Sequence, residues 1–166
     1  MATNQLLPEL HNCTACRLSE PGINPVPGRL PGTKSTVKYL FIGISPGKDE
    51  NQTRESFTGA AAEYLDDLVK LAGMNLEECY FTNIVKCWPQ FNIQGKQKKP
   101  GKIPMATCSE KWLIGEILDL KPEVIITLGA DPLSVLYPQH RISDVHGQLL
   151  DADKSSMEVV RQLNVP

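Results

Sequence analysis

Lys38-Tyr39-Leu40-Phe41-Ile42-Gly43-Ile44 is the stretch that decides the fold class. It is short, rich in β-branched and aromatic residues, and apolar without alternation. A strand covered on both faces reads this way. Two further segments share the character, Tyr80 to Val85 (YFTNIV) and Glu123 to Leu128 (EVIITL). Helical patterns separate them. Ala61, Leu65, Leu68 and Ala72 recur at helical spacing until Gly73 stops the helix. Met105, Trp112, Leu113, Ile117 and Leu120 mark another, with Pro104 suited to its first turn and Pro122 beyond its end. A shorter helix is expected from Ala130 to Leu136. Strands alternating with helices imply right-handed crossovers and a parallel sheet with helices on both sides. The expected architecture is α/β: a three-layer α/β/α sandwich around a central, mainly parallel four-stranded sheet, in one domain over residues 1–166. Ligands bind beyond the carboxyl ends of such strands. The loops after Ile44, Val85 and Leu128 are therefore the expected working face. The glycine- and proline-rich stretch Pro21 to Gly32 reads as loop and joins an N-terminal helix to the first strand.

The 166 residues suffice for one domain, and 41% hydrophobic with 22% charged residues is ordinary globular composition. No apolar run approaches the roughly 20 residues that span a bilayer. The N-terminal residues lack a basic patch followed by an apolar stretch, so no signal peptide is expected. The expectation is a cytoplasmic monomer with no membrane contact. A formal net charge of -2 argues against a chain that coats nucleic acid through an overall basic surface. Contact with DNA therefore needs a local patch. Gly95 to Lys102 (GKQKKPGK) gathers Lys96, Lys98, Lys99 and Lys102, which suit phosphates; the alternative is a solvated lysine loop. Arg29 and Lys34 are placed to add to that patch.

Five cysteines in a chain read as cytosolic point to metal or catalysis rather than disulfides. Cys13 and Cys16 form a Cys-x-x-Cys pair, and Cys87 and Cys108 lie 21 positions apart around the lysine loop. Four thiolates satisfy a tetrahedral zinc site or a [4Fe–4S] cluster. The wide second pair is unlike a zinc ribbon, and the first does not sit between a strand and a helix as a thioredoxin pair would. Spacing alone leaves metal binding open against a set of inert buried thiols. Cys79, at the start of the second strand, reads as core.

Sequence around these cysteines extends the reading. Asn12 to Leu18 (NCTACRL), Thr82 to Pro89 (TNIVKCWP) and Cys108 to Leu113 (CSEKWL) resemble the cysteine segments of family 4, thermophile-type uracil-DNA glycosylases. Gly43 to Gly59 (GISPGKDENQTRESFTG) is similar to their uracil-pocket loop. Ile125 to Ala130 (IITLGA) and Ile142 to Gly147 (ISDVHG) fit the same template in the same order. The resemblance spans about residues 8 to 150. It implies a [4Fe–4S] cluster on Cys13, Cys16, Cys87 and Cys108 that serves structure. It implies that Phe57 stacks on an extruded uracil and that Asn83 hydrogen-bonds the base edge. Gly43 and Gly47 would hold the base through backbone, and Ser45 and Glu50 would help to orient the attacking water. The implied activity is hydrolysis of the N-glycosidic bond of uracil in DNA, for base excision repair. A base must leave the duplex before that bond can be reached, and a flipped base is held by stacking plus edge hydrogen bonds. Taken singly, Asn83 reads as a strand-end cap and Phe57 as core.

The chain also departs from the family pattern. Ile44 stands where the family carries a glutamate that positions water, and Ser45 stands where a related branch has an asparagine. The sequence reaches Val165-Pro166 about where a late His-Pro motif is expected, and His11, His140 and His146 do not replace it. A shortened or truncated homologue is one expectation. A catalytically weak or inactive iron–sulfur DNA-binding homologue is therefore the alternative function, and a zinc-binding structural module a third.

Overall fold

Side chains of a single strand divide between two separate apolar cores. In β1 (Tyr39–Gly43), Leu40 and Ile42 join Tyr80, Leu113, Ile117, Leu133 and Leu136, whereas Phe41 packs with Val69, Cys79 and Phe81. Successive strand residues face opposite ways, so a strand covered on both faces is apolar at every position. This computed structural model describes residues 8–32 and 36–163. Lys34 lies outside the described residues.

The sheet runs in the order β2-β1-β3, with β2 (Cys79–Asn83) and β3 (Val124–Thr127) both parallel to β1. Register sets Gly43 opposite Asn83 and Ile42 opposite Thr127, so all three carboxyl ends emerge together. After β1 come a short helix α1 (Lys48–Thr53) and then α2 (Ala60–Leu71). Leu65 and Val69 of α2 cover the Phe41–Phe81 side of the sheet. The chain leaves α2 at Gly73, whose φ of +75° suits glycine, while Met74 N–H reaches back to the Val69 carbonyl.

Opposite lie α3 (Lys102–Cys108), a π-type turn at Ser109–Leu113, and α4 (Ile114–Leu120). One long helix was expected here; the wider turn lets the adjacent Trp112 and Leu113 both face inward. Lys121 ends α4 in the left-handed region before Pro122. α5 (Ala130–Leu136), α6 (Ile142–Val145) and α7 (Glu158–Gln162) complete the helices that follow, with Val159 and Val160 in the first core.

Among the described residues the sheet has three strands, one fewer than expected. Residues 147–150 share with Val124 to Thr127 the lining of a cavity of about 290 Å³. Among the described residues no ladder forms between these two segments. No helix among the described residues is long and apolar enough to cross a membrane.

Candidate functional site

A cleft of about 430 Å³ opens beyond the carboxyl ends of the strands, where the alternating pattern places it. Gly43, Ile44, Ser45, Glu50, Phe57 and Asn83 all contribute to its lining, together with α2 and Leu128. Gly43 is the pivot. A Cβ at this position would stand 2.5 Å from Asn83 Oδ1 and 3.0 Å from Phe57 Cζ, so the amide and the ring meet over bare backbone. Asn83, the last residue of β2, is only 3% exposed. Among the described residues none hydrogen-bonds its side-chain amide, which leaves donor and acceptor available. Main-chain hydrogen bonds lock the two loops together: Ile84 N–H donates to the Gly43 carbonyl (2.9 Å) and Val85 N–H to that of Ile44 (3.0 Å).

Phe57 has φ +56°, a left-handed conformation unusual for an aromatic residue. Its half-buried ring lies 5.6 Å from that of Phe81, at the border of core and cleft. Glu50 holds this conformation: Phe57 N–H donates to one carboxylate oxygen, and Gly47 N–H donates to the other at 2.5 Å. Both of its oxygens already serve backbone donors, clamping the two ends of the cleft loop. Gly47, expected to touch the base, caps the N-terminus of α1 and does not line the cleft.

Ser45 does line the cleft, and its hydroxyl accepts from Gln97 Nε2 (3.2 Å), which also donates to the Pro46 carbonyl (3.1 Å). Gln97 belongs to the lysine loop, so loop and cleft are joined. Lys96, Lys98, Lys99 and Lys102 are all exposed, and Lys99 is paired with Asp131 at 2.9 Å. Arg29 pairs with Asp66 at 2.8 Å and lies 4.8 Å over the Phe81 ring. None of the three histidines lines the cleft. His140 sits near Tyr137 and His146 lines the cavity beside β3.

Cys13, Cys16, Cys87 and Cys108 line one small cavity with Leu10, Val85 and Trp112, and none forms a disulfide. Burial pushes the Cys87 thiol up to about 12, aided by the charges of Cys108, Cys16 and Cys13. Burial likewise lifts Cys108 to about 11 against the lowering effect of Lys86, with Cys16 and Cys13 also raising it. Mutual repulsion of this kind marks sulfurs that share one space, and a cation bound there would displace their protons. Among the described residues no three His, Cys, Asp or Glu side chains close around a single metal ion. A polynuclear cluster spreads its ligands more widely, and this cavity offers thiols without histidine or carboxylate. The donor set fits a cluster. Cys79 is apart from it, fully buried on the other face of the sheet.

Sequence reading missed a buried ion pair just behind the cleft. Lys86 Nζ meets Glu116 Oε2 at 2.6 Å. The available signal was an acidic residue within the apolar run Ile114–Leu120. It also missed Gln97, which lacks any local signature among the lysines.

Fold and cleft together define an α/β domain whose cleft brings an aromatic ring and a side-chain amide together over bare backbone. The chain belongs to the uracil-DNA glycosylase superfamily: the model of that family, described as Uracil DNA glycosylase superfamily, matches residues 31–162. It is similar to the Type-4 uracil-DNA glycosylase of Thermotoga maritima, 33% identical over 141 residues, covering 84% of this chain and 69% of that protein. The Type-4 uracil-DNA glycosylase of Saccharolobus solfataricus is 32% identical over 130 residues, 78% of this chain and 56% of its own length. That of Archaeoglobus fulgidus is 30% identical over 126 residues, 76% and 59% respectively. The match thus takes in little more than half of the latter two relatives.

Proposed function

We propose that this chain removes uracil from DNA by hydrolysing its N-glycosidic bond, acting in base excision repair as a cytoplasmic monomer. The observation that carries the reading is the convergence of Asn83 and Phe57 on Gly43 inside the cleft. Phe57 stacks on the extruded base. The Asn83 amide supplies a donor for a uracil carbonyl and an acceptor for the ring N–H, a pairing that cytosine presents in reverse. Ser45, held by Gln97, orients the water whose oxygen bonds to C1′ while the C1′–N1 bond breaks and its electron pair leaves with the base; the proton that the water loses passes to solvent, and the departing uracil anion takes one up from solvent. Glu50 keeps the loop in the shape that presents Phe57. Lys96, Lys98, Lys99 and Lys102 hold phosphates. Cys13, Cys16, Cys87 and Cys108 hold a [4Fe–4S] cluster, which when bound supplies cross-linking of distant segments rather than chemistry. Arg17, beside Cys16, donates to the Pro100 carbonyl (3.1 Å) and so ties that region to the lysine loop.

A second reading is favoured by a specific observation: no histidine lines the cleft and both Glu50 oxygens are engaged. On that reading the chain binds uracil-containing DNA with weak or no hydrolysis. Loss of an oxyanion-type donor or a general acid typically lowers a rate by about 10² to 10⁴. Incubating anaerobically purified protein in excess with a uracil-containing oligonucleotide, then treating with alkali, separates the two. Strand scission at uracil supports the hydrolase. Uracil-dependent binding without scission supports the second reading, and neither result removes both. Stoichiometric zinc in place of iron and sulfide would reject the cluster.

A further inference from the structure

We propose that Lys86 is a positioning residue for base recognition, gripping the main-chain carbonyl of Asn83 from behind the cleft; this rests on the reading of Asn83 as the base-edge partner. The Lys86 side chain is 1% exposed and its partner Glu116 6%. All three ammonium protons have acceptors: Glu116 Oε2 at 2.6 Å, Thr82 Oγ1 at 2.5 Å and the Asn83 carbonyl at 2.9 Å. Glu116 is held in turn by Thr82 Oγ1, at 3.2 Å and 3.0 Å to its two oxygens, and by Tyr80 OH at 3.4 Å. Among these contacts, the one to the Asn83 carbonyl reaches the turn that follows β2.

Burying an ion pair is a poor source of stability, because desolvation of both charges offsets their attraction. A pair of apolar residues would fill the same space. What such residues would not supply is a donor for the Asn83 carbonyl. That carbonyl belongs to the residue whose side chain reaches the cleft, and its peptide begins the turn that carries the chain from sheet to Cys87. The same lysine is fixed at its own backbone, where its N–H meets Cys108 Sγ (3.3 Å) and its carbonyl accepts from Val26 N–H (2.6 Å). Lys86 therefore has an immobile stem and a saturated head, and Asn83 is clamped between that head and Gly43. A charged donor holds such a carbonyl more firmly than a neutral one. The side-chain amide inherits that placement.

The test uses the full chain, with its cluster, in three forms. The Lys86→Met/Glu116→Gln double variant removes both charges at nearly constant volume and leaves Thr82 and Tyr80 an acceptor; the lysine donor is lost to the Asn83 carbonyl and to Thr82 Oγ1, a hydroxyl that still bonds the side chain at position 116. Glu116→Gln alone keeps the lysine donor on the Asn83 carbonyl while leaving that ammonium without a counter-charge, so it lowers the melting temperature but retains the grip. Uracil affinity is read by titrating 5-fluorouracil, and the placement of Asn83 by its side-chain amide resonances. The double variant is expected to keep the cluster absorbance and a melting temperature near wild type. Its affinity should fall about tenfold or more, with shifted or broadened Asn83 amide signals, while Glu116→Gln stays within about threefold of wild type. Wild-type affinity in the double variant, or equal loss in Glu116→Gln, overturns the assignment. A double variant that does not fold also overturns it, making the lysine structural. Wild-type protein that ignores 5-fluorouracil rejects the reading of the cleft itself.

Discussion

Replacing Gly43 with alanine tests the cleft at its tightest point. The new methyl carbon would stand 2.5 Å from Asn83 Oδ1, where ordinary contact begins at about 3.4 Å, so the amide must yield by about 0.9 Å. The Phe57 ring edge, at 3.0 Å, must give by a few tenths of an ångström as well. Neither is free to do so cheaply: Asn83 is buried with its peptide gripped by Lys86, and the Phe57 backbone is clamped by Glu50. Misplacement by about 1 Å typically lowers a rate about 10²-fold. Overpacking of this kind costs about 1–3 kcal/mol, and each kcal/mol lowers Tm by about 2–4 °C at this chain length. Gly43→Ala is thus expected to excise uracil about 10²-fold more slowly under single-turnover conditions, with Tm lower by a few degrees to about 10 °C and unchanged cluster absorbance. Excision within about threefold of wild type at unaltered Tm would refute the reasoning.

Further outcomes follow from other contacts. Glu50→Gln sets an amide N–H₂ against one of two backbone N–H groups, so Tm is expected to fall by the equivalent of about 1–3 kcal/mol, with excision reduced through loss of the Phe57 conformation; scanning fluorimetry with wild-type Tm would contradict the clamp. Changing Lys96, Lys98 and Lys102 together to alanine is expected to flatten the slope of log affinity against log salt by about 2 to 3; an identical slope would make the loop a solvated one. In cluster-free protein, burial favours the neutral form of Cys79, Cys87 and Cys108, raising them to about 11, 12 and 11. The thiolate fraction at pH 8 is then about 10⁻³ or less, so iodoacetamide is expected to modify Cys13 and Cys16 first and the buried three only above about pH 10. Because those folded values lie above the ordinary thiol value, their contribution to stability is complete below pH 9 and lost as pH rises through 11 to 12. Rapid alkylation of all five at pH 8, mapped by mass spectrometry, would contradict that burial.

How far the molecule could be read in advance depended on range. β1 was legible because covering on both faces leaves a local mark, unbroken apolarity. α2 was legible because Leu65, Leu68 and Gly73 carry period and stop within one stretch. The gathering of four cysteines from three regions was legible only through their flanking motifs, since spacing left inert thiols open. The pairing of Arg29 was not legible because its partner Asp66 lies 37 positions away and nothing local announces it. The backbone partners of Glu50 were hidden for a related reason: a carboxylate beside a pocket looks alike in sequence whether or not it also accepts from its own backbone. Lys86 sat in plain view within TNIVKC, but only the fold brings Glu116 against it. The fourth strand was expected from the architecture as a whole, and residues 147–150 hold no apolar alternation that enforces pairing.

The claim beneath all of this is that the Asn83 amide is the group that meets the base. Titrating uracil into ¹⁵N-labelled protein and following the Asn83 side-chain N–H₂ signals tests it without any need for turnover. Saturable displacement of those two signals, abolished in Gly43→Ala, is the expected result; signals that stay fixed while uracil binds elsewhere would contradict it.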